Sequence, residues 1–314
     1  MPVRLVAVLL SFALAGPVAC RRDSAAGGEP FPSAEELMAA DSAFAEASAE
    51  RGAAAWSDVW AERGLLYGNG DDPAVGPSAA SKSIAKLVDK LRWEPTGSAM
   101  LWPHVLGYTV GDWWMGSDPP ESADERRRYL TVWQRIGGDW KVALDLVLPE
   151  QQTTSSARDF DFWLGDWNLK QRIWSGNGDA FERYSAENQV RLIEDSGALV
   201  ENVTGRARFF WLGMDEPAPF RGVSVRVYYP EAREWRIFWM DTLDPKFGPP
   251  FNGSFSGDVG EFLLTDRPNG IPPSRIRFER QIDGSVDWQL ALRTPDGENW
   301  QPLWLIEFQR DRGD

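Results

Sequence analysis

Phe160-Asp161-Phe162-Trp163-Leu164-Gly165-Asp166-Trp167 is the most concentrated aromatic stretch of the chain. It follows a polar tract, residues 150–158, that holds no apolar side chain larger than alanine, and it precedes a long series of strand-like segments. We read it as the closing latch and first strand of a C-terminal β-barrel, with the polar tract as a linker from an upstream domain. Beyond it, apolar and polar residues alternate with period two. Trp167, Leu169 and Ile173 alternate with Asn168, Lys170 and Arg172, and Val223, Val225, Val227 and Tyr229 with Ser224, Arg226 and Tyr228. Trp235, Ile237 and Trp239, then Ile276 and Phe278, then Val286, Trp288, Leu290 and Leu292 repeat the pattern. Tight turns fall at Asp283-Gly284 and Asp296-Gly297, and no useful helical stretch follows residue 167. An up-and-down antiparallel barrel of about nine or ten strands over residues 159–310 is expected.

The 314 residues suffice for two domains, and the 17 tryptophans divide into 8 before residue 150 and 9 after it, so each half has aromatic residues for its own core. The net charge of −14 is spread over both halves. Such acidity disfavours nucleic acid, whose affinity rests on cationic contacts to phosphate, and anionic lipid surfaces. The chain has a single cysteine, Cys20, and a single histidine, His104. That excludes an intramolecular disulfide, a Cys/His zinc cluster and a multi-histidine site, and we expect neither metal nor cofactor.

Residues 1–19 read as a secretory signal: Arg4, an apolar run over residues 5–15, then small residues up to Cys20. The run is too short to span a membrane. Val18-Ala19-Cys20 resembles a bacterial lipobox, with Pro17 standing where leucine is usual. That resemblance implies acylation of Cys20, and Arg21 after it implies sorting to the outer membrane of a Gram-negative cell. Residues 20–32 then form a flexible tether.

The first domain, residues 33–149, opens with Ser33 as N-cap and Glu36 three residues on. Leu37, Phe44 and Ala47 give a helix to residue 50, and Trp56 and Trp60 mark a second over residues 53–63. A short strand at 65–67 precedes a third helix over residues 78–91. The period then becomes two: Trp102, His104, Leu106, Tyr108 and Val110 share one strand face. A hairpin of residues 129–136 and 140–148 turns at Gly137-Gly138-Asp139.

Helices first, then a curved sheet ending in a long hairpin, resembles the nuclear-transport-factor-2-like superfamily and its SnoaL-like and uncharacterised periplasmic branches. The residues carrying the likeness are Asp41-Ser42-Ala43-Phe44, residues 106–112, residues 129–133 and residues 140–145. The second half, from Phe160 to Trp167 and from Asp296-Gly297 through Trp300 to Phe308, resembles lipocalin-like (calycin-type) barrels of unknown function. The resemblances imply an α+β chain: a cystatin-like α+β cone followed by an all-β antiparallel lipocalin-like barrel. The haem of nitrobindin-like relatives is not carried over, because this half has no histidine. A homodimer through the sheet of the N-terminal domain is left open.

The cone resemblance implies an apolar pocket, and in ketosteroid isomerase an aspartate base works there. Asp72, close to where that segment would fall, is a candidate base or a turn aspartate ahead of Pro73. His104 is the one side chain with an ordinary pKa near neutrality, and with Trp102 and Tyr108 it would form a pocket wall. Asp145 is a third catalytic candidate, although it shares a face with Lys141, with which an exposed ion pair would account for it. Trp56, Trp102, His104, Tyr108 and Asp112 form the candidate ligand-binding set. In the barrel, the arginines at 172, 226, 236 and 293 are expected on the solvated outer surface, the alternative being an anionic ligand in a cup. The leading function is binding of a small, largely apolar molecule by an envelope protein anchored through an N-terminal lipid and facing the periplasm. The alternatives are an isomerase, cyclase or hydrolase working in the cone, and a structural protein with filled cores.

Overall fold

The computed structural model describes residues 32–68, 73–102, 105–122, 125–150, 154–193, 196–265 and 272–311. The signal-like residues 1–19, Cys20, Asp72 and His104 lie outside the described residues.

Ser33 caps α1 (Ala34–Arg51), its hydroxyl accepting from the Glu36 amide at 3.3 Å. The second helix is shorter than its tryptophan spacing suggests. α2 (Ala53–Val59) ends where Trp60 turns extended, and β1 (Trp60–Tyr67) begins there. After β2 (Ala74–Val75), α3 runs over Pro77–Ile84, with the proline in the first turn, where its missing N–H costs nothing. The expected single strand through residues 102–110 is in fact two. β3 (Leu91–Trp102) and β4 (Leu106–Met115) form a hairpin, and β3 went unrecognised because Pro95 and Gly97 break its ladder with a register shift. β5 (Arg127–Ile136) and β6 (Asp139–Val147) form the long hairpin as expected. The six strands lie in the order β2-β1-β6-β5-β4-β3, antiparallel except for the parallel β1–β6 pair.

The helices cover one face of this sheet. α1 comes so close that a Cβ on Gly107 would lie 2.3 Å from Leu37. Leu37, Phe44, Trp56, Trp60 and Trp133 form the core on that side.

The second half closes into a ten-stranded antiparallel barrel. Its strands are β7 (Gly165–Trp174), β8 (Phe181–Leu192), β9 (Leu199–Ala207), β10 (Ala218–Tyr229), β11 (Glu234–Asp241), β12 (Phe251–Ser256), β13 (Val259–Leu264), β14 (Ser274–Arg280), β15 (Val286–Arg293) and β16 (Trp300–Arg310). Each pairs with its chain neighbour, and β16 closes on β7. The chain is therefore α+β, a helix-covered sheet followed by a barrel. No helix among the described residues is long and apolar enough to cross a membrane.

The stretch from Phe160 to Trp167 plugs one end of the barrel. A 3-10 turn (Asp161–Trp163) drops Phe160 and Trp163 inside, both 0% exposed, against Trp235, Phe278 and Phe308. The Trp167 indole N–H donates to the Trp163 carbonyl at 2.8 Å. Arg310 of the last strand donates to the Phe162 and Leu164 carbonyls and lies 4.0 Å over the Trp167 ring. Gly165, at φ +119°, is required here, because a side chain would be strained and would meet the Arg310 guanidinium.

The two halves pack against each other. Leu106, Val110, Leu130, Val132, Leu144 and Leu146, on the sheet face away from the helices, share one core with Val223, Val225, Val227, Phe238 and Met240 of the barrel wall. The ring of Tyr67 meets Phe238 edge-on at 5.2 Å, and Arg236 lies 4.0 Å over Tyr229. The sheet face away from the helices is thus covered by the barrel.

This contact reverses the expected facing of β10. Its valines point out, to the first domain, and Ser224 and Arg226 point into the barrel. Arg226 is 3% exposed, so the outer-surface expectation fails for it, and Arg236 is held at the junction of the halves. A period of two identifies a face but not its side when both faces are covered.

Candidate functional site

On helix α1, Leu37, Asp41, Phe44 and Ser48 recur at helical spacing and form its buried stripe. Asp41 thereby enters the core beneath the helix with 1% exposure. Such a carboxylate must be hydrogen-bonded to persist. Trp93 of β3 donates its indole N–H to one oxygen at 2.8 Å, and the Tyr129 hydroxyl of β5 donates to the other at 2.8 Å. The Thr109 hydroxyl of β4 also bonds Asp41 while accepting from the Trp133 indole at 2.8 Å. Three strands are thus tied to one helix through one carboxyl group.

Asp145 of β6 lies beside this network. Tyr129, Thr131 and Trp133 alternate on β5 with Leu130 and Val132, which face the barrel, and this places Thr131 opposite Asp145. The Thr131 hydroxyl donates to Asp145 at 2.5 Å. Asp145 as a whole residue is half-buried, while its carboxyl sits deep among protein atoms.

Burial dominates the electrostatics. It pushes Asp145 up to about 7, the charge of Asp41 adds to this, and the Thr131 hydrogen bond opposes it. Burial also raises Asp41, against its three hydrogen bonds, and burial together with the Asp41 charge raises the Tyr129 phenol. At neutral pH, Asp145 therefore populates both an acceptor form and an O–H donor form, which is the condition for exchanging a proton with a bound molecule.

Lys141 donates to the Asp58 carbonyl at 2.7 Å, so the expected Lys141–Asp145 ion pair is replaced by the Thr131 contact. Trp56 packs between the helices, stacked on Trp60 at 5.4 Å and donating to Ser48 at 2.9 Å. Trp102 and Tyr108 face the barrel, on the opposite side of the sheet from Trp56. Asp112 is held by Arg128 at 2.9 Å and by Arg126 at 3.8 Å. The candidate ligand set is therefore not brought together, and of the three catalytic candidates Asp145 alone falls within the described polar network. Asp41 and Tyr129 were missed as site residues. The helical spacing from Leu37 to Ser48 could have exposed Asp41, since it puts an acid in an apolar stripe. Among the described residues no group of His, Cys, Asp or Glu is placed to hold a metal ion.

The barrel interior carries the other buried polar network. Glu201 accepts from Asn188 at 2.8 Å, from Ser224 at 2.6 Å and from Arg226. The Arg226 guanidinium lies 4.9 Å from the Phe160 ring, 5.2 Å from Trp163 and 5.5 Å from Phe278. Its charge is matched by Glu201 and capped by aromatic faces, while its Nε and Nη1 are buried with no hydrogen-bond partner among the described residues.

No protein-family model matches the chain, and no curated protein does. Solved structures similar to it include an NTF-2 like protein of unknown function from Shewanella oneidensis MR-1, at 16% identity and TM-score 0.30, covering 36% of this chain and 95% of that one. A ketosteroid isomerase-like protein from Erwinia carotovora atroseptica SCRI1043 is similar at 15% identity and TM-score 0.30, covering 36% of this chain and 92% of that one. An ntf2-like protein with a cystatin-like fold from Novosphingobium aromaticivorans is similar at 13% identity and TM-score 0.31, covering 37% of this chain and 82% of that one.

Proposed function

We propose that the chain binds a small, largely apolar molecule on the helix-covered face of its N-terminal sheet, with the Thr131–Asp145 pair as the polar anchor. The observation that carries this reading is the buried carboxyl group of a half-buried residue, raised to about 7 and backed by an aromatic core, with a single hydrogen-bond partner among the described side chains. Binding sites of this kind are mostly apolar, with few polar groups that fix orientation. The filled, plugged barrel favours the first domain over the second as the place of binding.

Native mass spectrometry of the protein purified from its own source tests this. A retained small molecule is expected, lost or strongly depleted in Thr131→Val and Asp145→Asn variants that remain folded. A preparation free of any such mass, or one whose bound mass ignores both variants, contradicts the reading.

The pKa of Asp145 favours acid–base chemistry at the same place as a second reading, since a general acid or base works best with a pKa near the operating pH. It expects the bound molecule to be converted with a rate that titrates near that value. Envelope placement through acylated Cys20 rests on the signal-like residues 1–19. A Cys20→Ser protein that stays in the membrane fraction refutes the anchor.

A further inference from the structure

A concavity of about 700 Å³ crosses the outer wall of the barrel over β8, β7, β16, β15 and β14. It is separate from the first domain, which packs on β9–β11. Strand register arranges its side chains in two neighbouring rows. One row runs Arg183, Arg172, Leu305, Gln289, Arg277, and the other Ser185, Lys170, Glu307, Asp287, Glu279.

Along these rows like charges face one another at three strand pairings, beside two opposite-charge pairs. Arg183 stands directly opposite Arg172; neither makes a hydrogen bond with a described residue, and the charge of Arg172 acts on Asp287 across the groove. Across the groove Glu307 stands opposite Asp287, and Asp287 opposite Glu279. Like charges directly opposed across strands are destabilising. Burial first, then the charges of Glu307 and Glu279, raise Asp287, against a hydrogen bond from Gln281 at 2.9 Å and the charge of Arg172. Partial relief comes from Lys170 to Glu307 at 3.5 Å and from Arg277 to Glu279 at 2.9 Å.

We propose that this groove is a binding site for a small zwitterion, a phosphate-type anion and an ammonium joined by a short chain. The anion lies on Arg172, Arg183 and Lys170 with the Ser185 hydroxyl, and the ammonium lies among Glu307, Asp287 and Glu279. Leu305 lies under the connecting atoms. Neighbouring strands are roughly 4.8 Å apart, so β7 and β15, two strands apart, set the charges roughly 5–10 Å from each other. Either charge alone would satisfy one end and leave the other repulsive, so both are required.

The probes are glycerophosphoethanolamine, glycerol phosphate and ethanolamine, titrated into the full-length protein by calorimetry and by amide NMR shifts. Saturable binding of glycerophosphoethanolamine is expected, about tenfold tighter than of either fragment, as two added ion contacts of about 0.7 kcal/mol each supply. Arg172→Glu and Asp287→Lys should each weaken it at least about fivefold, while Lys82→Glu on α3, with the same change of charge as the first, should leave it unchanged. Thermal melts of each variant establish that it is folded. Cosedimentation with phosphatidylethanolamine vesicles assigns the ligand to a membrane lipid, and its failure assigns it to the free headgroup compound. The site is overturned if glycerophosphoethanolamine does not bind saturably, if glycerol phosphate binds as tightly, or if the folded Arg172→Glu protein binds like the parent.

Discussion

The helix-covered face of the first domain and the interior of the barrel each bury a polar network, and they treat it differently. In the barrel, Glu201 and Arg226 neutralise one another, and Phe160, Trp163 and Phe278 close over the guanidinium. In the first domain, Asp41 is fully bonded, but Asp145 is bonded by Thr131 and has no countercharge among the described residues. Burial with a matched charge makes a structural clamp. Burial without one leaves a carboxyl that titrates near neutrality.

The largest effects should come from the barrel, where the network is sealed. Arg226→Met leaves Glu201 buried without its countercharge and should cost about 3–5 kcal/mol in denaturant unfolding. The double variant Arg226→Met/Glu201→Met should recover much of that loss, because it removes both charges. A single variant costing under about 1 kcal/mol would show that the pair is hydrated rather than sealed. Trp163→Ala opens the plug over the same guanidinium and should cost about 3–5 kcal/mol, as buried aromatic truncations do. A cost near zero would break the plug reading of the Phe160–Trp167 stretch.

A smaller effect, of opposite sign at high pH, is expected in the first domain. Asp145 has an ordinary pKa of 3.8 when unfolded and about 7 when folded. The folded state therefore holds the proton more tightly, and this contribution is complete below 3.8 and lost as pH rises through about 7. Asp145→Asn removes the titration, so its melting temperature should gain on the parent between about pH 4 and about pH 8. A difference independent of pH would show that Asp145 titrates normally.

The barrel was legible because its strands alternate and its turns are marked by Asp-Gly pairs, and the latch because aromatic density and Gly165 coincide. The direction of β10 was not legible. Val223, Val225 and Val227 make an apolar row whether they meet the barrel core or the neighbouring domain, and the sequence carries no mark of that neighbour. β3 was hidden by Pro95 and Gly97, which read as breakers but sit at a register shift. In the candidate set of Trp56, Trp102, His104, Tyr108 and Asp112, the period of two puts Trp102, His104 and Tyr108 on one strand face, but no pattern in the sequence places Trp56 on that side of the sheet. The sheet separates Trp56 from Trp102 and Tyr108. Asp145 was visible as an acid on a strand, but its environment depends on Thr131, Tyr129 and Asp41, the last over 100 positions away in sequence.

The contrast between a charge-matched and an unmatched network rests on the protonation of Asp145. Carbon-13 NMR of the aspartate side-chain carboxyls, with Asp145→Asn used for assignment, measures it directly. A midpoint of about 7 for Asp145 is expected. A midpoint near the ordinary 3.8 would mean that the carboxyl is fully hydrated, and the first domain would then lose its claim to the working site.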